Sequence, residues 1–296
     1  MKKILMMSLL FLVGILSACS GEVDLPFIEE VDEVFTISYN GEERRYYVYV
    51  PSELEKNRPI LFLLHGYGGT IEYFLESTDI KKLAERDKVI VVLPEGTPAV
   101  GLNHWDANLR YEEVDDVGFL SLLRNSLVEE YHVNEDHVFV GGHSNGGFMT
   151  YTLACEANDL FTAFMSVSGL MSGETWETCE GEVETNLLQF HGTDDDIVPI
   201  DGTMTELFGW GGAPPMMDML QVWIDRLDNY EYSMNQVNEL LTKQSYVSQN
   251  GTTLIYYEAE GYGHMWAKDG DLFDETNDLP DMTEILFDYL MSFVDE

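Results

Sequence analysis

A serine stands in the pentapeptide Gly142-His143-Ser144-Asn145-Gly146, directly after the apolar run HVFVG and directly before an amphipathic stretch. A hydroxyl becomes a useful nucleophile when a sharp turn projects it toward a base, and small flanking residues permit such a strained strand-to-helix turn. Ser144 is therefore the candidate nucleophile for acyl transfer. A second glycine-rich turn, His65-Gly66-Tyr67-Gly68-Gly69, ends the apolar run ILFLL. Acyl transfer builds negative charge on an oxygen, and backbone N–H groups aimed at that oxygen need the close approach that glycine allows. The expected donors are the N–H of Asn145 and that of Tyr67 or its immediate neighbour.

A base and an orienting acid complete such a site, in the chain order serine, acid, histidine. His191-Gly192-Thr193-Asp194-Asp195-Asp196-Ile197-Val198-Pro199 begins at the end of the run NLLQF, and His264-Met265-Trp266 follows LIYYEAEGYG. His264 is the candidate base, taking the serine proton and returning it to the leaving group. Spacing alone does not choose among Asp194, Asp195 and Asp196. Of the other histidines, His65, His143 and His191 each adjoin a glycine turn and read as structural. A metal site built from His65, His191 and aspartates lacks a recognised ligand spacing, so no metal is expected.

These loops must be delivered by regular elements. Short β-rich runs alternate with longer amphipathic ones, the signature of an α/β sheet. Strands are predicted over 44–50, 60–64, 89–93, 137–141, 164–167, 187–190 and 253–258, and helices over 71–86, 117–131, 146–157, 216–230 and 282–294. Runs such as ILFLL and VIVVL are apolar throughout, which suits central strands covered on both faces. The helix lengths match crossover connections, so one mostly parallel, doubly wound sheet is more economical than two domains. Residues 208–215, with GWGG and two prolines, read either as a roof over a pocket or as a plain connection.

The chain has 296 residues, 45% of them hydrophobic, enough for one large core. Fifteen Lys and Arg stand against 54 Asp and Glu, a formal net charge of −39. Such a surface repels phosphate backbones, which excludes nucleic acid as a partner. Aromatic residues at 12% exclude disorder as the source of the charge, so the acids coat a folded body.

Lys2 and Lys3 precede an apolar run shorter than the roughly 20 residues that span a bilayer, so residues 1–18 read as a signal peptide. The run ends Leu16-Ser17-Ala18-Cys19, which resembles the bacterial lipobox and makes Cys19 the expected lipidation site, followed by an acidic tether over 19–31 and a catalytic domain over 32–296. The expected location is extracytoplasmic, with the membrane a partner through the lipid anchor alone. Cys155 and Cys179 then remain, read as a disulfide in an oxidising compartment or, alternatively, as two buried thiols.

Together LLHGYGG, VVLPEGT, the His-Trp of NHWDA, VDDVGFL, VGGHSNGGFMTYTLAC, HGTDDDIVP and GYGHMW resemble a secreted esterase family. It includes feruloyl esterases and polyhydroxybutyrate depolymerases and is related to carbohydrate esterase family 1. The resemblance implies an α/β-hydrolase fold, no cofactor, and a Cys155–Cys179 disulfide. Its pattern HGT-x-D-x-x-VP lands on Asp195, leaving Asp194 and Asp196 as surface acids. Ile200 and Trp266-Ala267-Lys268 depart from the family, which often carries an aromatic residue and Trp-Pro-Gly there. The departures bear on the substrate pocket, whose expected lining is Trp105, Trp266 and His143, with core packing the alternative for both tryptophans. The implied activity is serine-dependent hydrolysis of a small or oligomeric ester, either a feruloyl or acetyl ester of plant polysaccharide or a short hydroxyalkanoate ester. A non-catalytic glycan- or polymer-binding protein, a peptidase and a thioesterase on the same fold are the alternatives.

Overall fold

The computed structural model describes residues 30–54, 57–98, 101–109, 114–204, 211–266, 272–274, 277–278 and 281–294. The expected signal peptide, Cys19 and nearly all of the tether lie outside these residues, as does part of the 208–215 loop.

The first strands are antiparallel, β1 (Val31–Tyr39) and β2 (Glu42–Val50). Asn40 and Gly41 join them with φ of 50° and 85°, a tight turn whose twist suits a two-residue hairpin. The Asn-Gly signal was present in the sequence, but β1 itself is acidic and mostly exposed, so no apolar run announced it. It begins one residue inside the predicted tether.

Next come β3 (Ile60–Leu64), α1 (Ile71–Ser77), α2 (Ile80–Asp87), β4 (Ile90–Pro94), α3 (Asp116–Tyr131), β5 (Val138–His143) and α4 (Asn145–Glu156). They lead to β6 (Ala163–Val167), α5 (Gly173–Thr178), β7 (Leu187–Gly192) and α6 (Met216–Asp225). The chain closes with β8 (Glu231–Gln236), β9 (Leu241–Val247), β10 (Thr253–Ala259), a small hairpin β11–β12 (Leu272–Asp274, Asn277–Asp278) and α7 (Met282–Met291). The ten main strands form one sheet in the order β1-β2-β4-β3-β5-β6-β7-β10-β9-β8. Its six central strands run parallel, and antiparallel pairs finish both edges.

Every residue of β3 and β4 is buried because both faces are covered. Ile60, Phe62 and Leu64 pack with α3, α4 and α6 on one side, while Leu61 and Leu63 pack with α1, α2 and α7 on the other. The alternation follows from the two-residue period of a strand.

Three predicted helices are shorter than expected, the last ending at Met291 rather than at 294. The 71–86 stretch divides at Thr78, whose backbone is extended and whose hydroxyl donates to the Phe74 carbonyl at 2.7 Å. The stretch from 216 stops at Asp225, and the chain reverses at Asn229, with φ of 46°, into a strand exposed along its whole length. Strands β8 and β9 lie at a sheet edge, where burial no longer imposes an apolar pattern.

The strand order fixes where a ligand can sit. From β3 the chain crosses to β4 on one side and then to β5 on the other, so β3 and β5 flank the point where the winding reverses. In open α/β sheets the crevice at the carboxyl ends of such strands is the binding position. Leu64 is paired with Gly142 there, which sets the HGYGG turn beside the serine turn.

Candidate active site

Ser144 occupies the turn between β5 and α4 with φ of 54° and ψ of −119°, a left-handed backbone unusual for a residue with a side chain. The flanking glycines are steric requirements. A Cβ on Gly142 would lie 2.2 Å from the Gly146 carbonyl oxygen, and one on Gly146 would lie 2.3 Å from that of Leu64. The strain at Ser144 is therefore held by backbone packed on backbone.

His264 reaches the same point from the loop after β10. Its Nε2 is 2.8 Å from Ser144 Oγ and its Nδ1 is 2.8 Å from Asp195 Oδ2. A carboxylate only accepts, so Nδ1 carries the proton and Nε2 is left to accept from the serine hydroxyl. The structure thus selects one of the three consecutive acids. Asp195 is buried, whereas Asp194 and Asp196 are both exposed, Asp194 with its backbone N–H turned to the Tyr262 carbonyl. The other oxygen of Asp195 accepts from the N–H groups of Ile197 and Val198 at 3.0 and 2.7 Å. Burial alone would raise its pKa, but the hydrogen bonds from His191 and His264, with that from Val198, hold it well below the ordinary carboxylate value.

The expected oxyanion donors sit beside the nucleophile. Asn145 is the first residue of α4, where N–H groups have no partner within the helix. The HGYGG turn passes so close that a Cβ on Gly66 would lie 3.2 Å from Ser144 Cβ, which brings Tyr67 to the rim. That turn is braced by Asn103, whose carbonyl accepts from the N–H of Gly68 at 2.7 Å.

Trp105 is not a pocket wall. It is fully buried, with its indole N–H donating to the His65 carbonyl at 2.9 Å and its ring 5.1 Å from that of His65. Its backbone pairs with the Asn145 side chain. The loop carrying it is anchored in turn by Asp116, which accepts from the Asp106 N–H and from Arg44, both at 2.7 Å. A wide apolar ring in a polar loop reads equally as wall or core, and here the adjacent elements enclose it.

Trp266 is half-buried, edge-on to Phe74 and to His143, with its indole N–H donating to Thr283. It supports the His264 loop on α1 and α7. His143 stacks on His264 with ring centroids 5.2 Å apart. Part of the residue is exposed, but its Nε2 is buried and finds no partner among the described residues. Burial pushes its pKa down to about 3, so it is neutral. His65 is also neutral, pushed down to about 4 by burial, with Nε2 accepting from the Gly96 N–H at 2.9 Å. Cys155, on α4, and Cys179, just after α5, form a disulfide.

The sequence reading missed the groups behind the acid. His191, Gln189 and Tyr151 are wholly buried and join Asp195 to α4 through hydrogen bonds. The one signal was a His and a Gln two residues apart in an apolar strand, where each needs a partner.

Fold and site together define an α/β-hydrolase with a serine-histidine-aspartate triad. The profile of the prolyl oligopeptidase family matches residues 77–183, a segment that contains Ser144 and stops short of Asp195 and His264. Homologues include a probable acetylxylan esterase A of Aspergillus clavatus, 30% identical over 153 residues that make up 50% of this chain and 49% of that one. Another is feruloyl esterase B of Thermothelomyces thermophilus, 28% identical over 148 residues, 48% of this chain and 50% of that one. The chain thus spans about half the length of these curated relatives. Among solved structures, the acetyl xylan esterase from Aspergillus awamori superposes with a TM-score of 0.59 at 18% identity, covering 88% of this chain and 100% of that one, which establishes the shared fold.

Proposed function

We propose that this chain is a serine esterase that cleaves acetyl or feruloyl esters on plant polysaccharide through an acyl-enzyme on Ser144. The observation that carries the reading is the unbroken hydrogen-bonded series from Ser144 Oγ through His264 to Asp195. His264 Nε2 takes the hydroxyl proton as Ser144 Oγ bonds to the ester carbonyl carbon. The N–H groups of Asn145 and Tyr67 receive the developing oxyanion, and His264 then delivers the proton to the departing alcohol. A water molecule repeats the sequence to free the carboxylate. Asp195 keeps the imidazole in the Nδ1–H tautomer throughout and stabilises the imidazolium.

The similarity to a probable acetylxylan esterase and to a feruloyl esterase supports the choice of acyl group. We further propose that the protein works outside the cytoplasm on a lipid anchor at Cys19, supported by the basic, apolar and small-residue order of residues 1–19. Its acidic surface favours a neutral ester over a polyanionic one and favours release of the carboxylate product.

The deciding experiment compares native protein with Ser144→Ala on acetylated xylan, methyl ferulate and hydroxybutyrate oligomers, with p-nitrophenyl acetate as a general ester. The native chain releases acetate or ferulate and Ser144→Ala does not. Full activity in Ser144→Ala would overturn the mechanism. Preference for the hydroxybutyrate oligomers would overturn the substrate class alone.

A further inference from the structure

Four N–H groups converge on Asp195, and their distribution is uneven. Two backbone N–H groups hold Oδ1, while Oδ2 is shared by two imidazoles, His264 Nδ1 at 2.8 Å and His191 Nε2 at 3.2 Å. His191 Nε2 also lies 2.9 Å from the Val198 carbonyl oxygen. Two acceptors converge on that nitrogen, so it must carry a proton.

The other ring nitrogen fixes the same tautomer independently. The amide nitrogen of Gln189 lies 3.1 Å from the Gly169 carbonyl oxygen and 3.3 Å from that of Phe190, groups that can only accept. They orient the Gln189 NH2, which stands 3.0 Å from His191 Nδ1. A proton on Nδ1 would face another N–H, so Nδ1 accepts and the ring is the neutral Nε2–H form. On its far side, Gln189 Oε1 accepts from the Tyr151 hydroxyl at 2.7 Å. Burial pushes the Tyr151 phenol further up from its ordinary value, so it remains a donor.

Tyr151 belongs to α4, the helix that begins immediately after Ser144. The series Ser144, His264, Asp195, His191, Gln189, Tyr151 is therefore closed into a ring by the helix backbone. Gln189 lies on β7 and Tyr151 on α4, and between β5 and β7 runs β6, where Ser166 is paired with Gln189 on one side and Gly142 on the other. The ring ties the element bearing the nucleophile to the element bearing the acid across the strand that separates them.

We propose that His191 is a positioning residue for the hydrolytic reaction: a permanent Nε2–H donor that fixes the rotation of the Asp195 carboxylate and so the aim of His264. The inference rests on the esterase reading for its kinetic consequence and on geometry alone for its tautomer. The ionisable groups in contact with the pair are Asp195 and, through it, His264, with His143 stacked on the latter.

The first test is independent of any substrate. In protein labelled with 15N at histidine, two-bond 1H–15N correlation spectra should show His191 as the Nε2–H tautomer. An Nδ1–H or doubly protonated ring at neutral pH would overturn the proposal. The second test replaces the donor. His191→Leu should lower kcat roughly tenfold, with KM within about twofold, as expected for a misaimed catalytic group, and should broaden or shift the His264 Nδ1 proton signal. His191→Gln, whose amide N–H reaches the place of Nε2–H, should recover most of both. A folded His191→Leu with native kcat and an unmoved His264 signal would reduce His191 to a packing residue. If neither variant folds, the tautomer in the native protein decides. If the native chain cleaves no ester, the proposed function fails while the spectroscopic test stands.

Discussion

The side-chain amide of Asn145 pairs with the backbone of Trp105 at both ends: the Trp105 N–H donates to Asn145 Oδ1 at 2.7 Å, and Asn145 Nδ2 donates to the Trp105 carbonyl at 3.0 Å. The amide thus imitates a strand partner for Trp105, just as Thr97 pairs with the backbone of the preceding His104. Through its indole N–H, the same tryptophan holds the carbonyl of His65, two residues before Tyr67. One buried residue therefore braces both segments expected to bind the oxyanion.

Trp105→Phe keeps the ring in the core and deletes only the indole donor. It should lower kcat on p-nitrophenyl acetate by about tenfold, with KM little changed, because misplacement of an oxyanion donor acts on the transition state. Loss of the buried hydrogen bond should cost about 1–2 kcal/mol in denaturant unfolding. Native kcat with reduced stability would confine Trp105 to the core.

Among the three acids, only Asp195 reaches His264. Asp195→Asn should depress kcat by about four orders of magnitude, since an amide can present an N–H to His264 and favour the wrong tautomer. Asp194→Asn and Asp196→Asn should each remain within about twofold of native. Steady-state rates of the three variants at one pH separate the roles.

Two buried imidazoles make the fold sensitive to acid. His65 and His143 are held neutral down to about 4 and 3, whereas an unfolded chain protonates them near 6.5. Between those limits the unfolded state binds more protons, so stability falls as pH falls, by at most about 1.4 kcal/mol per pH unit for each group. Urea midpoints measured from about pH 7 to about pH 4.5 should decline steadily, and His143→Phe should flatten part of the slope. An unchanged slope in that variant would remove His143 from the account.

The Cys155–Cys179 disulfide closes a loop with a sequence separation of 24 and ties α4 to the segment after α5. In the chain-entropy model such a closure stabilises by about 3 kcal/mol. Reduction, or Cys155→Ser with Cys179→Ser, should lower stability by that order. Thiol alkylation of the denatured, unreduced protein should label neither cysteine.

A net charge of −39 repels itself across a compact body. Added sodium chloride shortens the screening length to about 10 Å at 0.1 M, so the melting temperature should rise with salt. An equal response to sodium chloride and to an uncharged osmolyte would assign the effect to something other than screening.

Residue order alone was enough to specify the parts whose chemistry is local. Ser144 was legible because its turn admits only glycine on either side, and β3 and β4 because burial on both faces demands unbroken apolar runs. The edge strands β1 and β8 and the neighbouring β9 were not, since a half-exposed or exposed strand has little pattern to display. Adjacent aspartates with the same chemistry could be told apart only by the family resemblance until the fold buried Asp195 and left Asp194 and Asp196 exposed. The fates of Trp105 and His191 were decided by tertiary structure alone. Whether an indole lines a cavity or braces a loop, and whether an imidazole beside a glycine is idle or shares a carboxylate with the base, depends on neighbours brought from β3, β7 and α4. Those contacts are set by strand order and register, which no local spacing records.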